Sequence, residues 1–593
     1  MNSETKTCQN CKQNFTIEPE DFSFYEKIKV PAPTFCPECR TQRRMAFRNE
    51  RFVYKKKSDY SGKEIFCGYP PESPVKVYEN NIWNSDEWDS MSFSKEIDFS
   101  KPFLSQILEL IREVPRPAMS VIDMVNSDYC NNASGGKNCY LLFNFAYAEN
   151  CFYGSQGSYI KDSADILSVN KSELVYDSFG LNNCSRAFFS NNCEDCANIY
   201  FSKNLKNCSD CFGCVNLRNK SHFIFNKPYS KDEYDNKLKQ YQLNSHLFVE
   251  EIKNKAHKFW LEFPNKYFEG RQIYNSTGNY IYNSKNALNA YIVRDCEDVK
   301  YCQYLYISNA KDAYDHTLWG EGSSLTYECL QVGNKINNVK FCAHCWPDLK
   351  NSQYAMFCSG SSDLFGCIGL KKKQYCILNK QYTKEEYEEL LPKIIQHMND
   401  MPYIDKKGIS YKYGEFFPID FSPSPYNETI AQEHFFLGKS QIESNGYSWK
   451  EPFERNIVIT ISNDKLPDKT QDVSDSITNE IIECAHKSKC NENCTGAFKI
   501  IKPELEFYRK MNLPLPRLCP NCRHYQRIKQ RNPLKLWHRK CQCNGNKSDN
   551  GIYQNTATHQ HGERHCENTF ETTYSPDRKE IVYCEHCYQQ EVV

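Results

Sequence analysis

The sequence predicts an α+β protein that is mainly β, with a central two-block β-solenoid-like repeat array, helical caps, and flanking zinc ribbons or treble clefs. Three observations predict it. Cysteine knuckles stand at both ends, aromatic or cysteine-bearing triplets recur at a steady step between them, and both halves of that middle end on one shared motif.

The chain has 593 residues, enough for more than one core, and its 74 basic residues equal its 74 acidic ones. Zero formal charge removes any argument for wholesale binding to nucleic acid, so such binding has to be local. Met1 to Thr7 are polar, and no apolar run approaches the roughly 18 residues that span a bilayer. A cytoplasmic location without membrane association is therefore expected. In that setting the 32 cysteines are expected to bind metal or to sit buried as thiols, not to form disulfides.

Residues 1–60 read as an N-terminal zinc ribbon with a basic extension. Cys8, Cys11, Cys36 and Cys39 form two C-x-x-C knuckles, each pointing two thiolates at one ion. Residues 61–127 read as a connector. Asp98 to Val114 can form a helix ending before Pro115, and Trp83 and Trp88 are expected to pack ribbon against array.

The array divides into block 1 (128–265) and block 2 (266–400). Tyr140, Phe152, Ile166, Phe188, Tyr200 and Phe212 mark the first; Tyr291, Tyr301, Tyr314, Tyr327, Phe341 and Tyr354 mark the second. A step of about 10–14 residues suits one strand and one turn, with two steps expected per coil. Asparagines suit the turns because they tolerate left-handed backbone. The blocks end alike: Phe212-Gly213-Cys214 and Asn226-Lys227 match Phe365-Gly366-Cys367 and Asn379-Lys380. Ser230 with Glu233 and Thr383 with Glu386 then make capping boxes, so a helix closes each block and covers its open sheet edge. The central cysteines read as a buried thiol ladder, with Cys342-Ala-His-Cys345 the best candidate for an additional metal site. Residues 401–480 read as an irregular connector.

Residues 481–540 repeat the first ribbon. Cys11, Phe24, Tyr25, Cys36, Cys39 and Arg40 match Cys494, Phe507, Tyr508, Cys519, Cys522 and Arg523 without a gap. Cys8 falls opposite Asn491, so Cys490 is expected to join Cys494, Cys519 and Cys522, with Cys484 and His486 as substitutes. A third ribbon fills 541–593: Cys566, Cys584 and Cys587 need a fourth ligand, favoured from Cys541 or Cys543, with His561 and His565 competing. Opposite Cys541 the first copy has Ser58. About three structural Zn2+ ions are thus predicted.

After each duplicated knuckle comes a cationic run. Arg40, Arg43, Arg44 and Arg48 precede aromatic Phe52 and Tyr54, and Arg523, Arg527, Arg531 and Lys540 surround Trp537. Nucleic acid is the partner such runs suggest, a protein partner held by the solenoid the alternative. No nucleotide, hydrolase or metalloprotease fingerprint is present, the knuckles leave no open position for water, and no small-molecule cofactor is indicated, so an enzyme is not expected.

The terminal units, with Cys36-Pro37-Glu38-Cys39-Arg40, resemble a zinc-ribbon domain family of bacterial proteins. Ala46-Phe47-Arg48-Asn49-Glu50-Arg51, Cys376-Ile377-Leu378-Asn379-Lys380 and Ile581-Val582-Tyr583-Cys584 further resemble a large family from candidate-phylum bacteria over nearly the full chain. Some of its members carry a CaiB/BaiF (CoA-transferase) label. The resemblance implies ribbons flanking Cys- and aromatic-rich repeats; nothing in this sequence resembles a CoA site. Members often have Cys where Ser58 stands, so any metal role there is lost.

Overall fold

The computed structural model describes residues 2–306, 308–451 and 457–592. Residues 1, 307, 452–456 and 593, the third of these inside the predicted connector, lie outside the described residues. No described helix is long and apolar enough to cross a membrane.

The middle of the chain is a parallel β-solenoid, and its geometry is written in the backbone. Every third residue from Asn132 to Phe225 has a left-handed φ. Left-handed backbone costs an L-residue about 1–2 kcal/mol and falls most easily to Gly, Asn and Asp, which explains why those residues punctuate the repeat. Each left-handed residue turns a corner, so four three-residue sides close one coil. Parallel pairing runs from Ser185 to Ala197 to Ser209 to Ser221, a coil of twelve residues. One repeat step is thus a whole coil, and the expectation of two steps per coil is corrected: turns only three residues apart leave no room for a longer side.

Corner side chains stack along the solenoid. Asn126 bonds Asn138 at 3.2 Å, Asn138 bonds Asn150 at 3.1 Å, and Asn150 bonds Asp162 at 2.9 Å. Inside, serine and cysteine are interchangeable. Ser163 donates to the carbonyl of Lys161 at 2.7 Å as Cys342 donates to that of Lys340 at 3.2 Å. The same bond is made by Cys345 and Cys358, so these sulfurs keep their protons in an apolar ladder. Block 2 is less regular: Ser324 pairs with Asn337 and Glu297 with Lys311, because extra residues enter its corners, as at the adjacent left-handed pair Leu318 and Trp319.

Both blocks close as the shared terminator predicts. Phe223 pairs antiparallel with Pro228 and Cys376 with Gln381, around the left-handed pairs Phe225-Asn226 and Leu378-Asn379. The Asn226 amide both accepts from the amide of Val215 and donates to its carbonyl, each at 2.9 Å; Asn379 does the same to Ile368. A side chain thereby stands in for the next coil and satisfies the open edge. The capping boxes of Ser230–Glu233 and Thr383–Glu386 then start the helices Lys231–Lys239 and Lys384–Asp400.

The described chain folds as two compact units, each discontinuous in sequence. The first joins 1–119, 268–450 and 534–536; the second joins 120–267, 451–533 and 537–593. The N-terminal ribbon therefore belongs with block 2, and the two C-terminal ribbons with block 1. In the first unit the predicted helix forms as Phe103–Glu113, and Phe103 packs on Phe365 of block 2 at 5.4 Å. Trp83 likewise meets Phe357 and Lys371 of block 2. Part of the irregular connector lines this core through Phe416, Phe417 and Phe421.

Candidate metal centres

In the first ribbon, the hairpin of Glu4–Thr7 and Asn14–Ile17 carries Cys8 and Cys11 at its turn. Cys36 caps the helix Pro37–Met45, which puts Cys39 one turn inside it. A helix N-terminus favours negative sulfur. The four Sγ atoms lie within 4.8 Å of one another, as predicted from the two knuckles. Cys11 and Cys36 are 3.7 Å apart, close to the edge of about 3.8 Å for a tetrahedron with bonds near 2.3 Å. The donor set fits a tetrahedral ion.

The second ribbon gathers Cys484, Cys494, Cys519 and Cys522, with Sγ separations of 3.5 Å for Cys519–Cys522 and 3.9 Å for Cys494–Cys519 and Cys484–Cys522. Cys484, not Cys490, completes this set, which corrects the expectation drawn from spacing. One backbone signature explains why. The amide of Cys519 donates to Cys484 Sγ at 3.2 Å, as Cys36 does to Cys8 and Cys584 to Cys541. The position of Cys8 is thus held by geometry, and a longer loop delivers a different cysteine to it. Cys490 instead joins His486, Glu492 and Cys522, where His486 Nδ1 already faces Glu492 at 3.1 Å. Changing Cys484 to Ser is expected to abolish one four-sulfur cobalt chromophore, whereas Cys490→Ser leaves all of them; equal loss would return Cys490 to the set.

The third ribbon gathers Cys541, Cys566, Cys584 and Cys587. The shared amide bond selects Cys541 as fourth ligand, and Cys543 stands outside the set, grouped with His559, His561 and Cys587. His565 bonds Asp549 at 2.8 Å and belongs to neither group. His559 carried no sequence signal; only the fold brings it beside Cys543.

The sulfurs of each set hydrogen-bond to one another. Cys36, Cys484 and Cys541 hold Cys8, Cys519 and Cys584 respectively well below the ordinary thiol range by hydrogen bonding, and the same three push Cys39, Cys522 and Cys587 far above it. Thiol ligands bind as thiolates, so a divalent ion bound by such a set releases the protons its sulfurs carry. Cys342 and Cys345 make no such set; His344 bonds Gln331 at 2.8 Å and the carbonyl of Phe47 at 3.2 Å. Burial pushes its pKa down to about 3, and that of His316 equally, so both are neutral packing residues.

The cationic runs turn inward. Arg40 pairs with Asp315 at 2.8 Å, Arg43 with Glu328 at 2.6 Å and Glu415 at 3.0 Å, and Arg44 with Asp315 at 3.1 Å and Glu328 at 2.9 Å. Arg48 pairs with Glu50 at 2.6 Å and bonds Gln331. In the second unit Arg523 pairs with Asp165, Arg527 with Asp165 at 3.0 Å and Asp177 at 3.2 Å, and Arg531 bonds Gln156 at 3.2 Å. All seven arginines are buried, none more than 7% exposed. Their expected role in touching nucleic acid is corrected: Arg40, Arg43, Arg44, Arg523 and Arg527 lock each duplicated ribbon to carboxylates of a solenoid block, Arg48 and Arg531 reach glutamines of the blocks, and burial withdraws all seven from the surface. Lys540 is exposed and pairs with Glu567 at 3.0 Å.

No protein-family model matches the chain, and comparison with curated proteins finds no match either.

Proposed function

We propose that this protein is a non-catalytic scaffold whose ribbons hold structural zinc and whose solenoid binds a protein partner. Zinc is favoured because the three sets offer four thiolates each at tetrahedral spacing with no open position, a donor set that suits it. The observation that carries the binding role is the face block 1 leaves open. Between the corner row of Lys171, Asn183 and Asp195 and the strand row of Ser185, Ala197 and Ser209 runs a shallow groove of about 800 Å³. Tyr147 and Tyr159, 56% and 59% exposed, stack at 4.9 Å beside it. A floor of small residues rimmed by polar corners and aromatic rings suits an extended polypeptide laid across successive coils.

Nucleic acid as partner loses the seven arginines that suggested it, since they are buried. The two readings separate by experiment. A photoreactive amino acid at position 159 is expected to crosslink a protein, with a yield insensitive to nuclease and to near-physiological salt. Ala197→Arg, which fills the groove, should weaken that complex roughly ten-fold, about 1.4 kcal/mol. Retention of labelled single-stranded RNA or duplex DNA at the same salt, lost on changing Lys161 and Lys171 to Glu, would sink the protein-partner reading.

A further inference from the structure

Beside the four-sulfur set of the third ribbon, Cys543, His559, His561 and Cys587 place one ligand atom each within 4.8 Å of the others. The tautomers of both imidazoles follow from their outer partners. His561 Nδ1 faces the carbonyl of Arg564 at 2.6 Å, and a carbonyl only accepts, so that nitrogen carries the proton. Its Nε2 therefore presents a lone pair, and it faces Cys587 Sγ at 3.3 Å. His559 Nε2 faces the Glu591 carboxylate at 2.8 Å, which makes it the donor and leaves the Nδ1 lone pair aimed at Cys543 Sγ, 3.3 Å away.

Glu591 is itself fixed. It accepts from the Tyr553 hydroxyl at 2.9 Å and from the amides of Thr556 and Ala557 at 2.8 and 3.1 Å, and the side chains of His559 and Glu591 are both 0% exposed. Two imidazole lone pairs and two sulfurs thus converge on one point. Each imidazole is pinned from behind by an acceptor, the arrangement that orients histidine on a metal.

We propose that the third ribbon is a two-metal centre: a second divalent ion, of the zinc class, is bound by Cys543, His559 and His561, and Cys587 bridges it to the ion held by Cys541, Cys566 and Cys584. A thiolate sulfur has lone pairs for both ions. Five thiolates against two divalent cations leave one net negative charge, less than the two left when four thiolates hold one ion, so sharing relieves the repulsion among crowded sulfurs. The other group that shares a knuckle cysteine, around Cys522, is a poorer candidate: Glu492 there already pairs with Lys529. In the first ribbon the matching Cys39 accepts from Asn10 at 3.3 Å instead.

The inference rests on the four-thiolate reading of Cys541, Cys566, Cys584 and Cys587. The test is native mass spectrometry of the zinc-loaded full chain beside a His559→Ala/His561→Ala variant, together with cadmium-113 NMR of the unaltered protein. The variant is expected to lose one metal equivalent, and the cadmium spectrum to contain a two-sulfur, two-nitrogen resonance coupled through Cys587 to a four-sulfur one. Unchanged stoichiometry in the variant, or a spectrum holding only four-sulfur resonances, overturns the second ion alone. A spectrum without a four-sulfur resonance for this ribbon overturns both the inference and the reading beneath it. The NMR arm needs no variant to fold.

Discussion

Stripping the zinc-loaded protein with a strong chelator at neutral pH is expected to unfold all three ribbons while leaving the solenoid's β signal largely in place. Each structural site of this kind contributes apparent binding energy of about 10–16 kcal/mol, and in so small an element that energy is the folding energy. The first ribbon has little else of its own, a four-residue hairpin pair and two nine-residue helices. The solenoid differs: its coils are held by ladders of backbone pairing, stacked asparagines and a buried core that includes none of the clustered ribbon cysteines. Hydrogen exchange should therefore rise sharply in Pro37–Met45 and Pro520–Gln530, and also in the strands that carry Asp315, Glu328 and Asp165, which lose their arginines. Block interiors such as Cys367 and Cys211 should stay protected. Acid should act in the same direction, because protons compete with the ion for sulfur. Exchange in the knuckle helices that ignores the chelator would show the ribbons to be held by packing alone.

Arg44→Ala is expected to cost about 3–5 kcal/mol, the usual penalty for leaving buried charge without its partner. Asp315 and Glu328 are 0% exposed and Arg44 bridges them; Arg40 and Arg43 stay on them, but Arg43 also serves Glu415, so truncation leaves three buried carboxylates facing two arginines. The loss should be confined to the first unit, seen as faster exchange there with the second unit unchanged; Arg527→Ala should do the converse through Asp165 and Asp177. Because a chain of two units has no single unfolding free energy, the comparison belongs at the level of peptides from each unit. An Arg44→Ala protein as stable as its parent, but altered in RNA or DNA binding, would mean that the guanidinium faces solvent after all.

Local chemistry made much of this molecule legible from its residues. Knuckle spacing specifies a metal loop because three residues is one turn, and the first ribbon's Cys8, Cys11, Cys36 and Cys39 come together on that ground. The repeat shows because a coil of fixed length must place a turn former at fixed intervals. The terminators Asn226 and Asn379 and the capping boxes beyond them stood out because each acts on neighbours a few residues or one coil away.

What lay across long separations was decided only by the tertiary structure. Charge in sequence has no direction: Arg40 and Arg44 read as a basic surface, yet their partner Asp315 lies 275 and 271 residues away. The same distance hid which block each ribbon joins: block 1 follows the N-terminal ribbon along the chain, yet the fold places that ribbon with block 2. Ligand choice followed the same logic. Cys490 was nearer in sequence, but the amide of Cys519 fixes where the sulfur must sit, and the loop from Cys484 reaches that place. By itself the sequence determined the parts, whose energetics are short-range, while the assembly was set by buried ion pairs and packed rings between parts, interactions that exist only once the chain has brought them together.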